Sequence, residues 1–430
     1  MSDPPAGGNA AAFDSLSAWL AHLERLHPNA IVLGLERVSK VARALGLALD
    51  CPVITVGGTN GKGSTCAYLE AMLYHAGYRV GCYTSPHLVR YNERVRIDSQ
   101  AADDDMLCSA FARVEAARGD TPLTYFEHGT LAAVLLFAQA GVDAAVLEVG
   151  LGGRLDAVNA FDSDSAVVTS VAMDHMDYLG DTREQIGLEK AGIFRAGCKA
   201  VCADPDPPQS LLQHAQQVGS DLLLLGRDFG YRSEPLQWQY WGPHGKRAGL
   251  PYPALRGDYQ LANAAAAITA LDALKSRLPV ALQNIRAGLA GVALPGRFQV
   301  LPGRPVTVLD VAHNPHAARA LAANLKAMGK FATTYAVFGM LRDKDIGGVA
   351  AAIEPYVDRW LLADIHDRRG ASADELRVVL QRAAVSAPLQ TFGDPHSAYR
   401  YACDRAGEND RIVVCGSFHT VAEVLRHRRA

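Results

Sequence analysis

Several short groups in this chain combine residue types that handle phosphates and cations. The first is Gly57-Gly58-Thr59-Asn60-Gly61-Lys62-Gly63-Ser64-Thr65, which follows an apolar run and opens a helical pattern. Backbone N–H groups of a glycine loop converge on an anion, the next helix turns its positive end inward, and a lysine adds full charge. That order can cradle a phosphate. The standard nucleotide loop, G-x-x-x-x-G-K-[ST], would place glycine at Val56 and a hydroxyl at Gly63, so the match is imperfect. A tight strand-to-helix turn is the competing reading.

Three more groups follow apolar runs: Ser85-Pro86-His87, then Glu148 with Gly150-Leu151-Gly152-Gly153-Arg154-Leu155-Asp156, then Asp174-His175-Met176-Asp177. Ligands of open α/β sheets sit at the carboxyl ends of strands, so these groups lie along one edge beside the glycine loop. A carboxylate, an imidazole and a hydroxyl next to a triphosphate suit a magnesium ion and its waters. Each also has a plain reading: Gly150 to Gly153 as a turn, Ser85 as a turn former, His175 as a hydrogen-bonded histidine, Lys190 as a solvated helix lysine. Their joint placement favours metal and nucleotide. Further on, Asp310-Val311-Ala312-His313-Asn314-Pro315, Gly339 to Asp345 and Cys415-Gly416-Ser417-Phe418-His419-Thr420 follow strands of a second series. Across a cleft, Arg297 and Asp310 could close on a nucleotide held by the first series; ordinary loop polarity and capping is the alternative.

The elements that must position these residues alternate. Short runs rich in β-branched residues predict strands at 52–56, 79–84, 144–149, 165–171 and 199–203, and helical spacing predicts helices at 16–26, 35–47, 63–75, 104–118, 129–140 and 183–193. Alternation with near-continuous apolar strands implies a mostly parallel sheet covered on both faces. Residues 231–255 break the rhythm and read as an antiparallel excursion, followed by helices at 259–278 and 282–289. After Leu294-Pro295-Gly296-Arg297 a second series begins, with strands at 306–309, 335–338, 360–363 and 412–414. We therefore expect an α/β protein of two domains, residues 1–294 and 295–430. The first would carry the phosphate loop, and the second would be a Rossmann-like α/β domain without a G-x-G-x-x-G dinucleotide loop.

Bulk composition narrows the function. A length of 430 residues calls for two domains, and 49% apolar with 20% charged residues is the balance of a globular chain. A net charge of -3 gives no basic excess for a nucleic-acid backbone. The cysteines at 51, 66, 82, 108, 198, 202, 403 and 415 form no C-x-x-C pair, which suggests reduced thiols and a cytoplasmic location. Residues 1–12 lack the pattern of a secretion signal, and no run reaches the roughly 18 apolar residues of a membrane span.

These motifs together, with Glu189-Lys190-Ala191-Gly192 and Leu294-Pro295-Gly296-Arg297-Phe298 among them, resemble the bacterial dihydrofolate synthase/folylpolyglutamate synthase family of the Mur ligase superfamily. The resemblance spans nearly the whole chain in order. It also covers Gly63, since this branch has Asn-Gly-Lys-Gly where Mur enzymes place a hydroxyl directly after the lysine. It implies an ATP-dependent ligase of folate biosynthesis that adds L-glutamate to dihydropteroate and further glutamates to reduced folates through an acyl phosphate. By similarity Thr59, Asn60, Gly61, Lys62, Gly63, Ser64, Asn263, Arg297 and Asp310 would contact ATP. Ser85 and Glu148 would bind one Mg²⁺; His175 and Lys190, the family's carbamylated lysine, would serve a second, and K⁺ is a further candidate ion. Lys62, Glu148, His175 and Lys190 would be the catalytic set. Ile31, Val32, Leu33, Thr124, Tyr125, Phe126, Glu127, Leu155, Asp156 and Ala157 fall where the family binds the pterin. His313 and Ser417 would face the incoming glutamate. The partners implied are these small molecules, without nucleic acid or membrane, on a monomer.

Rival readings carry their own signatures. A regulatory P-loop ATPase could use Asp177-Tyr178-Leu179-Gly180 as D-x-x-G, but no N-K-x-D follows. A Mur-type ligase acting on a cell-wall precursor or another acid needs an N-terminal domain, and roughly 50 residues before the loop are too few for one. A non-catalytic binding module needs no second cation cluster.

Overall fold

The computed structural model describes residues 13–27 and 31–428. Residues 1–12, read above as free of a secretion signal, lie outside the described part. The first sheet contains β1 Val53–Gly57, β2 Val80–Tyr83, β3 Val95–Ile97, β4 Gln100–Ala101, β5 Ala144–Glu148, β6 Ser165–Val168, β7 Lys199–Cys202 and β8 Asp221–Leu224. Their order is β4-β3-β2-β5-β1-β6-β7-β8, with β3 and β4 as an antiparallel edge on an otherwise parallel sheet.

Alternation along each strand feeds two cores. Ile54 and Val56 of β1, and Ala144 and Val146 of β5, pack under the helices Lys62–His75, Tyr259–Ala273 and Leu282–Gly291. Val53, Ala145 and Leu147 point the other way, into a core completed by Trp19, Phe111 and Leu131 from the helices Leu16–Leu26, Asp104–Arg118 and Tyr125–Ala140. Every residue of β1, β2, β5 and β6 is buried, as a sheet covered on both faces requires. The antiparallel excursion is a separate small sheet of β9 Gly230–Ser233, β10 Trp238–Gly242 and β11 Gly245–Leu250.

The second α/β unit holds β12 Gln299–Leu301, β13 Val306–Leu309, β14 Thr334–Phe338, β15 Arg359–Ala363, β16 Leu389–Phe392 and β17 Arg411–Cys415, in the order β12-β13-β17-β14-β15-β16. Only β12 is antiparallel. The expected strands agree to within a few residues, whereas β12 and β16 of this unit, like β3, β4 and β8 of the first, escaped the sequence reading. β12 and β16 are sheet edges with half-exposed residues, so neither carries the apolar run of a central strand. Among the described residues no helix is long and apolar enough to cross a membrane.

Candidate active site

Strand order decides which loops meet. β1 lies between β5 and β6, so the glycine loop after it is flanked by Glu148 at the end of β5 and by residues 169–175 after β6, with Ser85 after β2 one strand further. In the second unit β17 lies between β13 and β14, which gathers Asp310 to Asn314, Gly416-Ser417 and Gly339 to Lys344. The two edges face each other across a cavity of about 1090 Å³, lined by the glycine loop, Ser85, Glu148, His175, Lys190, Asn263, Arg297, Asp310 and His313. A second cavity of about 540 Å³ shares Ser85, Gly150, His175, His313 and Phe418 with it and runs to Ile31, Val32, Leu33, Phe126, Leu155, Ala157 and Ser417.

The loop is built for close approach. Gly61 caps the helix Lys62–His75 in the left-handed region at φ 91°, and a Cβ there would lie 2.5 Å from Asn263 Oδ1. Lys62 Nζ donates to the carbonyls of Gly58 and Thr59 at 3.0 and 3.3 Å. Gly63 brings its Cα face toward Arg297 and Glu148, where a Cβ would meet both at ordinary contact distance. The Thr59 hydroxyl bonds both the carbonyl and the amide of Ala172. The Ser64 hydroxyl accepts from Gln260 Nε2 at 3.3 Å, and Gln260 in turn accepts from Asn263.

Charges in the cleft are held against their solvation preference. Glu148 is buried and accepts from the Ser85 amide at 3.0 Å; burial raises its pKa, opposed by Lys62 and Arg297. Burial lowers the pKa of Arg297 against Asp310 and Glu148, and its guanidinium sits 4.9 Å from the Phe418 ring. Lys190 is buried without a hydrogen-bond partner among the described residues, and desolvation and then Lys62 bring it down to about 7. His175, at φ 52°, is lowered to about 4 by burial although Asp174 raises it, so its ring is neutral near pH 7.

Magnesium can be tested against these side chains. No group of three or more His, Cys, Asp or Glu is assembled to hold a cation among the described residues. Magnesium commonly takes one or two carboxylates and completes its shell with phosphate oxygens and water. The Glu148 carboxylate and the Ser85 hydroxyl fit that habit. For a second ion the neutral His175 ring fits, whereas an unmodified Lys190 ammonium does not.

Several residues expected to touch ligands line the cavities and also make internal hydrogen bonds. Asn60 exchanges amide hydrogen bonds with Asn314 at 3.2 and 3.0 Å, so its side chain bridges the two units at the cavity wall. Asp310 accepts from the amides of Phe298 and Ala312 at 2.9 and 2.8 Å. Asp156 accepts from Leu151 and Val158 at 2.8 and 3.0 Å and caps a short helix. Thr124 and Glu127 form a capping box, and Glu127 is also gripped by Arg37, which donates to Val32 O as well. Tyr125 is absent from the cavity wall and packs edge-on to Tyr91, leaving Phe126 as the ring in the pocket. That ring lies on Gly150, where a Cβ would come within 2.5 Å of it.

Two models cover most of the chain: the Mur ligase middle domain matches residues 56–271, and the Mur ligase glutamate ligase domain matches residues 296–418. The Escherichia coli (strain K12) dihydrofolate synthase/folylpolyglutamate synthase is 47% identical over 415 residues, covering 96% of each chain. The chain belongs to the dihydrofolate synthase/folylpolyglutamate synthase family of Mur-type ligases. Its fold matches the structure described as E. coli FolC in complex with DHPP and ADP, with TM-score 0.92, 46% identity, and coverage of 99% of this chain and 100% of that one. A bifunctional folylpolyglutamate synthase/dihydrofolate synthase with Mn, AMPPNP and L-glutamate bound matches at TM-score 0.90 and 47% identity, covering 97% and 99%.

Within this Mur-type ligase the sequence reading placed Asp174 and Lys344 at strand ends without giving either a role, because their importance is tertiary. Lys344 donates to Asp174 at 2.5 Å and lies 3.4 Å from His175 Nε2. Asp174 also accepts from Asn314 at 3.1 Å and lies 3.7 Å from His313 Nε2. Burial would raise the Asp174 pKa, but His313, His175 and Lys344 together hold it well below the usual carboxylate range. The strand-end position of Lys344 was the only signal in the sequence, since its partners lie 170 and 169 residues away.

Proposed function

We propose that this ligase joins L-glutamate to dihydropteroate, and further glutamates to reduced folates, at the cleft between residues 1–294 and 295–430. The observation that carries this is the continuity of the two cavities through Ser85, Gly150 and His175, which connects an apolar pocket for a flat ring to the phosphate loop. The substrate carboxylate attacks the γ-phosphorus of ATP, ADP leaves, and an acyl phosphate forms. The amine of glutamate then attacks the carbonyl carbon, phosphate departs, and the nitrogen gives up a proton as the amide forms.

The chain's own groups hold the reactants in line. Lys62 and the loop amides bind the phosphates and offset charge that builds during transfer. Arg297 approaches from the second unit, beside Glu148 and Gly63. Phe126, Leu33, Leu155 and Ala157 clasp the pterin. His313, Ser417 and Lys344 border the space for glutamate. Ser85 and Glu148 would hold one Mg²⁺, and His175 with Lys190 as a carbamate would hold another; bound there, the ions neutralise phosphate oxygens. A neutral Lys190 amine can attack carbon dioxide, forming an N–C bond and losing a proton, and the resulting anion suits a cation that an ammonium would repel. K⁺ is proposed as an activating ion, and the enzyme as a cytoplasmic monomer whose eight cysteines are all free.

The deciding assay measures ADP release with ATP, Mg²⁺ and L-glutamate, comparing dihydropteroate, tetrahydrofolate and a cell-wall precursor. Turnover with the two pterin acids is the expected result; release with neither would undo the assignment.

A further inference from the structure

One cation in the pterin cavity has no anion beside it. Among the cationic side chains of this wall, Lys344 pairs with Asp174, Arg369 with Asp343 and Arg426 with Glu423. Arg94 pairs with no carboxylate among the described residues. Its neighbour Glu93 is spent on the amides of Leu88, Val89 and Arg90 at 2.7, 3.0 and 2.9 Å.

Arg94 is nonetheless firmly held. Its Nε donates to His87 Nδ1 at 2.9 Å, and its guanidinium carbon lies 5.3 Å from the Tyr91 ring centroid and 5.5 Å from that of Tyr125. A guanidinium fixed by two rings and an imidazole has lost its rotamer freedom before any ligand arrives. Such a group, half-buried in a ligand cavity without a counter-charge, is built to receive an anion.

Its position says which anion. The Arg94 carbonyl accepts from the Thr84 amide at 2.9 Å, which sets it beside Ser85, the hydroxyl shared by both cavities. Dihydropteroate brings a single carboxylate, the one to be phosphorylated. A folate brings a reacting γ-carboxylate and, on the same glutamyl residue, an α-carboxylate a few bonds away. We propose that Arg94, clamped by Tyr91, Tyr125 and His87, seats the α-carboxylate of the terminal glutamyl residue of a folate substrate. Arg94 thereby distinguishes chain extension from the first addition. The inference rests on the folate-ligase reading above and adds a residue that only one of the two activities uses.

The test is initial-rate ligation by the full chain with dihydropteroate, tetrahydrofolate and the α-carboxamide of tetrahydrofolate. In the wild type the carboxamide should have a KM roughly 10- to 100-fold above that of tetrahydrofolate. Arg94→Gln should raise the KM for tetrahydrofolate by a similar factor, close the gap to the carboxamide, and leave the KM for dihydropteroate within about threefold. Equal KM values for acid and carboxamide in the wild type would overturn the proposal even if Arg94→Gln failed to fold. An equal loss on dihydropteroate and tetrahydrofolate would overturn it while leaving the ligase reading intact. No ADP release from the wild type with either substrate would overturn both.

Discussion

Desolvation governs the side chains of the phosphate cleft. Glu148 and Arg297 are buried within each other's fields, Lys190 is buried in that of Lys62, and burial is the largest cause of each of their shifts. Groups placed this way interact strongly with an incoming charge, because little water screens them. Lys62 lies on the loop itself, and Lys62→Ala should cut ligation on the order of 10²-fold or more in kcat/KM. Near-normal turnover in that variant would remove the loop from the mechanism. Glu148→Gln keeps the shape and deletes the charge, so the Mg²⁺ concentration for half-maximal rate should rise; an unchanged metal titration would exclude Glu148 as a ligand.

Between residue and molecule stand the elements, and here the sequence was informative in one way and misleading in another. Strand ends were legible because apolar runs bounded by glycine mark them, and the topology then made neighbours of Ser85, Glu148 and His175. Roles within the loops were harder to read, since the same residue types that bind ligands also close turns and cap helices. Thr124-x-x-Glu127 is a capping box, and Asp156 caps the helix Ala157–Ala160; all three also line the smaller cavity, and the sequence does not reveal the capping part of their work. Arg37 and Arg94 were invisible, and Lys344 was visible only as part of a strand-end group, because no local periodicity announces a tertiary partner. Two substitutions probe the loop after β5. Gly150→Ala would drive a methyl into the Phe126 ring, so we expect a loss of about 1–3 kcal/mol, read as a lower Tm, with a raised KM for dihydropteroate and little change for ATP. A variant with normal stability and normal KM would show that the ring does not form the pocket wall. Asp156 has its pKa raised to about 7, mainly by burial, against an unfolded value near 3.8. Between these values the folded state keeps a proton that the unfolded chain has lost, so this group lowers stability as pH rises through that window. Asp156→Asn abolishes the titration at the cost of one side-chain oxygen that accepts from a backbone amide. The Tm advantage of the wild type over Asp156→Asn should therefore shrink from pH 5 to pH 8, and a constant difference would mean that Asp156 is ionised throughout.

At the scale of the whole molecule, the two units are joined at the cleft by polar contacts that involve His313, which is proposed above to face glutamate. One carboxylate does much of this: Asp174, after β6, touches Lys344, Asn314 and His313, all from the second unit. The Asn60 and Asn314 amides add a reciprocal pair beside it. Relative motion of the units would break these contacts together, and the space proposed for glutamate would lose its borders at the same time. These contacts make Asp174 a candidate positioning residue, whose loss is expected to disturb the proposed glutamate space through Lys344, Asn314 and His313. Asp174→Asn retains the shape but withdraws the charge that faces Lys344 and His313. We expect the KM for L-glutamate to rise roughly tenfold, with the KM for ATP nearly unchanged, since the loss is a charge-assisted contact on one side of the cleft. Small-angle scattering should show a larger radius of gyration for the variant without ligands, and saturating ATP with glutamate should narrow the difference. A simple fold defect would instead lower Tm and weaken ATP and glutamate alike. Unchanged glutamate KM together with unchanged scattering would show that Asp174 does not link the two units.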